Sequence, residues 1–422
     1  MSSFPRLVSR SKKTKRLGEA KVIRKEEVEA LELDTRVELI RALIPLGLAE
    51  VYSLLDEEVL ELAGERYERK GGHRHGTNPG SVRMAGQRVP IRVPRLRGED
   101  GEIPLTSYRK LQGSGEPDEV LLRRVLYGIS CRNYESAAES IPGAIGLSSS
   151  TVSRRFVEAS AEQLKALQER DLSGEDIVAI FLDGKTFAED MMVLALGITM
   201  DGQKRLLGFV QTGTENKQVV SQFLRSLVDR GLDMSWGMLV ILDGGKGLRA
   251  GVRKCFKERA LVQRCQWHKR ENVVSYLPRN DQAAWRKRLQ RAYERPTYAE
   301  AKKALEEILT DLEAMNQSAA ASLREGMEET LTLHRLGLFG KLGRSFKTTN
   351  CLESINALVE ERCAKVDAWK NSNQKQRWLA AALLEIEPRL RRVMGYKQLP
   401  ALREALIKDL KLEAGGLKNK AA

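Results

Sequence analysis

The sequence has 422 residues, enough at roughly 100 to 200 residues per domain for two to four folded units with real cores. Lys and Arg number 71 against 57 Asp and Glu, a formal net charge of +14, which predicts a polyanionic partner, most often nucleic acid. With 42% hydrophobic and 30% charged residues the composition excludes wholesale disorder, and five irregularly spaced cysteines exclude a disulfide framework. Cys131, Cys255 and Cys363 read as small buried hydrophobes. The longest apolar run, residues 191–200, is far too short to span a membrane, so a cytoplasmic, nucleoid-associated protein is expected.

In chain order, residues 1–66 begin with a basic arm to about residue 25, readable as solvated charge or as a DNA-contacting tail, and turn helical from residue 26. Residues 67–112 change character. KGGHRHGTNPG is turn-rich, with His73 and His75 read as surface residues. VRMAGQRVPIRVPRLR alternates Val89, Ile91 and Val93 with Arg88, Arg92 and Arg95. This pattern predicts a basic two-stranded ribbon that its two prolines keep at an edge, with Arg92 and Arg95 as candidate DNA contacts. Residues 113–172, entered through GSGEPDE, carry three short helical patterns, VLLRRVLYGIS, YESAAESI and SSTVSRRFVEASAEQLKAL, in the outline of a helix-turn-helix. The last helix begins at Ser148 or Ser149 as N-cap and presents Ser150, Thr151, Arg154 and Arg155 where a recognition helix meets DNA. Plain helical packing produces the same pattern.

From residue 177 the chain reads as strands: IVAIFLDG, MMVLALGITM and KRLLGFVQTG, the last two joined through Asp201-Gly202 at two-residue hairpin spacing. The helix NKQVVSQFLRSLVDRGL, the strand GMLVILDGG, the helix KGLRAGVRKCF and the strand ALVQRC follow. Three strands, a helix, a strand, a helix and a strand are the order of a ribonuclease H-like α/β core. Its first part is assigned to residues 173–270, a helical insertion to 271–345, and its second part with the C-terminal helices to 346–422.

Asp183 and Asp243 each follow an apolar strand and precede glycine, which places a carboxylate where a buried sheet opens to solvent and leaves room for a ligand. An ordinary turn has the same signature, and Asp201 is assigned that role. Glu353 lies in the helical KTTNCLESINALVEERC. Thr349, Asn350, Glu353, Asn356 and Glu360 share a polar side there, opposite Leu352, Ile355 and Val359. Asn350 and Glu353 also stand at capping-box spacing. Three such carboxylates suit two Mg²⁺ ions about 4 Å apart, the arrangement for in-line phosphoryl transfer, with Mn²⁺ as a substitute.

The runs FLDGKTF, VILDGGKGL, QRCQWHKRENV and TTNCLESIN, in that order, resemble the signatures of Mutator-type transposases of bacterial insertion sequences. The likeness covers roughly residues 40 to 400, and its acidic residues are separated by 60 and 110 positions. The resemblance implies a ribonuclease H-like domain whose Asp-Asp-Glu triad, Asp183, Asp243 and Glu353, binds Mg²⁺, cuts transposon ends and joins them to target DNA. It places the family's Cys-x-x-His pair on Cys265 and His268, a pair that does not complete a tetrahedral zinc site.

Secondary candidates are His268, Lys269, Arg270 and Asn272 at a phosphate backbone, and Asn350 and Asn356 orienting Glu353 or holding a strand. Trp267, Trp285, Trp369 and Trp378 read as core residues or as stacking wedges. Holding two terminal inverted repeats together implies a homodimer or higher oligomer, without a membrane. Two other functions share these features: a sequence-specific DNA-binding regulator whose acids are only turn and cap residues, and a junction-type nuclease of the same fold.

Overall fold

The computed structural model describes residues 33–65, 71–84, 87–112, 119–132, 134, 148–213 and 216–412, with side-chain environments from residue 47 onward. The basic arm before residue 33 and the helical pattern YESAAESI beyond Tyr134 lie outside the described residues. The chain divides into two compact units, one within residues 1–115 and the other within residues 116–139 and 146–422. Among the described residues no helix is long and apolar enough to cross a membrane.

The first unit pairs one long helix, α1 (Leu33–Ala63), with an antiparallel sheet of order β1 (His73–Met84), β2 (Gln87–Gly98), β3 (Gly101–Ile103), followed by α2 (Thr106–Leu111). The alternation in β2 dictates its packing: Val89, Ile91 and Val93 are buried with Val51, Leu55 and Val59 of α1, while Arg88 and Arg92 face solvent. The sheet has three strands where the sequence predicted two. Because β3 pairs with β2 only over residues 96–98, Pro90 and Pro94 still lie where the outer side of β2 is open and no amide is required. Gly76, with φ +81°, absorbs a register shift between Arg74 and Thr77.

The second unit is built on a five-stranded mixed sheet of order β6-β5-β4-β7-β8: β4 (Ile177–Phe187), β5 (Asp190–Thr199), β6 (Lys204–Thr212), β7 (Met238–Leu242) and β8 (Ala260–Arg264). β6, β5 and β4 are antiparallel, and β7 and β8 run parallel to β4 and to each other. The strands are apolar at nearly every position because both faces are covered. On one face lie α5 (Lys217–Asp229) and α6 (Lys246–Phe256), burying Val220, Leu224, Leu248 and Val252 against Ile180, Leu182, Val240 and Leu242. On the other lie α4 (Ser149–Gln168) and helices from the C-terminal third. Helix α3 (Glu119–Leu126) packs with α4 around Leu122, Val152 and Phe156.

Two local readings are corrected. The connection from β5 to β6 spans residues 200–203 rather than two, closed by the Thr199 amide on the Gln203 carbonyl at 3.0 Å, with Asp201 accepting from the Thr199 hydroxyl. The two-residue hairpin is instead Ala188 and Glu189, at φ +48° and +73°, between β4 and β5.

After β8 come α7 (Gln266–Val274), α8 (Arg279–Tyr293), α9 (Tyr298–Met315) and α10 (Gln317–Arg324), which share their own core of Trp285, Leu289, Leu305, Ile308 and Leu323. Helix α9 starts at a capping box between Thr297 and Glu300. The chain returns through α11 (Met327–Thr330), α12 (Thr332–Arg335) and α13 (Phe339–Phe346) to α14 (Asn350–Cys363), α15 (Ser372–Ile386) and α16 (Leu399–Asp409), which cover the sheet.

Candidate active site

Strand register brings the two aspartates together. In the parallel pair β4–β7, Leu182 stands opposite Leu242, so Asp183 and Asp243 are the next positions on neighbouring strands, which run about 4.8 Å apart. Ala179 and Phe181 of β4 and Leu239 and Ile241 of β7 belong to one buried cluster, and side chains two residues on return to the same face, which is therefore the face of Asp183 and Asp243. Leu352, Ile355 and Val359 of α14 belong to that cluster too, at roughly 1.5–3 kcal/mol of burial each. That seat places the helix carrying Glu353 on the aspartates' side of the sheet.

Asp183 is not at the end of its strand, as the sequence suggested. β4 continues to Phe187, but unbroken burial stops at Asp183, level with the point where β7 ends. Asp183 itself is 8% exposed. Asp243 lies in a tight turn: its Oδ1 accepts the Gly245 amide at 2.8 Å, and Gly244 has φ +101°, a conformation that favours glycine. Glu353 is exposed in the first turn of α14. The N-cap of that helix is Thr349, not Asn350, so Glu353 is no capping-box partner, and Glu360 is held by Lys185 at 2.6 Å.

A buried hydroxyl links these elements. The Cys265 thiolate or thiol caps α7 by accepting the His268 amide at 3.5 Å, and Thr349 Oγ1 lies 3.3 Å from His268 Nδ1, 3.7 Å from Cys265 Sγ and 3.5 Å from Glu353 Oε1. Burial alone would lower the pKa of His268, but the bond and charge of Cys265 and then the Asp183 and Asp243 carboxylates outweigh it and raise it to about 9. Burial pushes the Cys265 thiol up, and His268 more than offsets this, leaving the thiol below its ordinary value. The arrangement is a protonated imidazole beside two acids. Among the described residues, no three His, Cys, Asp or Glu side chains are already drawn together closely enough to hold a metal ion.

The expected DNA contacts separate. Lys269 is withdrawn from that set: it is 1% exposed, and its ammonium donates to the carbonyl of Ser322 at 2.6 Å and to Glu325, so no phosphate reaches it. Burial, with Arg264 nearby, lowers its pKa to about 8. Arg270 is engaged by Glu271 and Gln290, and Arg95 by Glu102 at 2.6 Å, whereas Arg154 and Arg92 are exposed and Arg155 is half-buried. Asn356 is buried, Asn350 and Asn272 are exposed, and His73 and His75 are exposed on β1. Trp285 is in the helical core, and Trp369 and Trp378 pack against the sheet's helices, but Trp267 is 43% exposed, edge-on to His268. Sequence reasoning gave no role to Arg264. Its only signal was a polar Gln263-Arg264 pair closing an apolar strand.

The sequence matches the family described as "Transposase, Mutator family" over residues 15–391. It is similar to the transposase for insertion sequence element IS256 in transposon Tn4001 of Staphylococcus aureus, with 26% identity over 337 residues, 76% of this chain and 83% of that protein. The transposase for ISRM5 of Rhizobium meliloti (strain 1021) is 28% identical over 381 residues, 85% of this chain and 92% of that protein. The transposase for IS905 of Lactococcus lactis subsp. lactis (strain IL1403) is 26% identical over 352 residues, 82% and 86% of the two chains.

Proposed function

The chain belongs to the Mutator family of transposases, and we propose that it binds the terminal inverted repeats of its own insertion sequence and catalyses metal-dependent DNA strand cleavage and strand transfer. The observation that carries this reading is the register that sets Asp183 beside Asp243 on the face where α14 brings Glu353. The strand order β6-β5-β4-β7-β8, with helices on both faces, supports a ribonuclease H-like core interrupted by the helical segment that follows β8. Helices α3 and α4, the latter starting from Ser148 as N-cap, support a helix-turn-helix that offers Arg154 and Arg155 to DNA.

Asp183, Asp243 and Glu353 fit Mg²⁺ or Mn²⁺ in kind, as three hard oxygen donors on one face of the sheet. When bound, the cation supplies charge neutralisation for in-line attack at a phosphodiester. The protein's own part is positional. The Gly245 amide fixes one Asp243 oxygen, the left-handed backbone at Gly244 makes the sharp turn that presents it, and His268 offsets the repulsion between the two aspartates. Water or a 3′-hydroxyl is the nucleophile, so no protein–DNA covalent bond forms. Because two ends are held and joined to target DNA together, the working form is a homodimer or higher oligomer.

The test is incubation of the purified protein with labelled DNA carrying the ends of its element, with Mg²⁺, with Mn²⁺ and with chelator, alongside Asp183→Asn. Metal-dependent nicking at the end boundary, lost in the variant, is the expected result. Equal binding without cleavage by either protein, with both ends present, would make the chain a DNA-binding regulator and return the acids to structural roles.

A further inference from the structure

The turn that carries Asp243 rests on one buried guanidinium. Arg264, the last residue of β8, is 4% exposed, and its Nη2 donates to the Gly244 carbonyl at 2.9 Å. Its Nη1 donates to the Glu325 carbonyl at 3.1 Å and pairs with the Glu325 carboxylate at 2.8 Å. Gly244 directly follows Asp243, and Glu325 is the C-cap of α10 in the helical segment. The side chain therefore spans from the acidic turn to the inserted helices.

Backbone on both sides is shaped around it. Gly244 and Gly326 take φ of +101° and +71°, and a Cβ on Gly244 would stand 1.9 Å from Arg264 Nε, one on Gly326 2.2 Å from Nη1. Lys269 pins the same turn, with its ammonium on the Ser322 carbonyl at 2.6 Å and on the Glu325 carboxylate at 3.1 Å. Stability alone does not account for such a residue. An apolar side chain of similar size would fill the space without burying a charge, and Arg264 Nε is buried without a hydrogen-bond partner. What the guanidinium supplies is a fixed distance between two loops.

We propose that Arg264 is a positioning residue that seats the Asp243 turn against the helical insertion, so that the docking of the insertion sets where the Asp243 carboxylate stands. This rests on the reading of Asp243 as a catalytic acid. An insertion displaced from Arg264 would free the guanidinium that holds the Gly244 carbonyl, and so loosen the turn in which Gly245 fixes the Asp243 oxygen.

The experiment uses the full-length protein, wild type beside Arg264→Met, Gly326→Ala and Gly337→Ala. Gly337 has nearly the same backbone angle, φ +70°, but open space where a Cβ would go, so it controls for strain without touching Arg264. Circular dichroism, end binding, single-turnover cleavage across a Mg²⁺ titration, and hydrogen exchange at the Gly245 amide are measured. Arg264→Met and Gly326→Ala are expected to bind ends normally, to cut about 100-fold more slowly with a higher Mg²⁺ requirement, and to exchange the Gly245 amide faster. Gly337→Ala should match wild type. Wild-type cleavage and exchange in both test variants would overturn the proposal, as would equal losses in Gly326→Ala and Gly337→Ala. Loss of the folded state in Gly326→Ala alone would also overturn it, making the contact plain architecture. If the wild type itself did not cleave, the catalytic reading would fall, while accelerated Gly245 exchange confined to the two test variants would still uphold the clamp.

Discussion

The three-stranded sheet of the first unit and the five-stranded sheet of the second differ in how many faces meet water. In the first, only one face packs on α1, so β2 alternates buried Val89, Ile91 and Val93 with exposed Arg88 and Arg92, and Arg83 and Arg97 are exposed as well. In the second, clusters cover both faces, and Asp183 and Asp243 stand where the unbroken apolar stretches of β4 and β7 stop. One architecture spreads charge along a surface and the other gathers it at a point. Damage to the first should be graded, and damage to the second should approach all-or-none.

The sharpest break in that contrast pits Asp243→Asn against the combined Arg83→Ala, Arg88→Ala and Arg92→Ala variant. The amide keeps the size of the carboxylate and still accepts from the Gly245 amide, so folding and end binding should persist while cleavage falls by about 1000-fold or more. The ribbon variant should cleave normally at saturating DNA, bind more weakly, and lose about one unit of salt-dependence slope for each phosphate contact removed. A ribbon variant unable to cleave at saturating DNA would erase the distinction.

Stability gives a second axis. Ile180 is fully buried in the central sheet, and Ile180→Ala should cost about 2–5 kcal/mol in urea unfolding, whereas Arg92→Ala on the wet face of β2 should stay within about 0.5 kcal/mol. A comparable loss at Arg92 would mean that the ribbon face is packed rather than open.

The same contrast explains what the sequence made legible. Periodicity reports burial: alternation marked the ribbon, and apolar runs ending in Asp-Gly marked both strands that carry the aspartates. What periodicity does not carry is partner choice. The third strand β3 is three residues long and has no period to detect. The false hairpin at Asp201-Gly202 had the expected turn chemistry, while the true one, Ala188-Glu189, uses residues that seldom take positive φ. Lys269 read as a phosphate contact and Arg264 drew no role, because nothing in one sequence indicates that Glu325 and the carbonyls at the end of α10 fold back onto them. Glu353 was ambiguous for the same reason: the choice between cap and site depended on whether α14 starts at Thr349 or Asn350.

The smallest effect expected concerns proton affinity. It lies at His268, whose charge depends on its neighbours. With its folded-state pKa raised from 6.5 to about 9, its contribution to stability is complete below about pH 6.5 and is lost as pH rises through about 9. The depressed Cys265 thiol works in the opposite sense, contributing stability at high pH that is lost as pH falls, so the two partly cancel in an unfolding profile. The imidazole resonances of His268 resolve the pair directly. They should titrate near 9 in the wild type, move down most in Cys265→Ser and less in Asp183→Asn, and a wild-type midpoint near 6.5 would mean that the acids and the thiol do not act on the imidazole as a group.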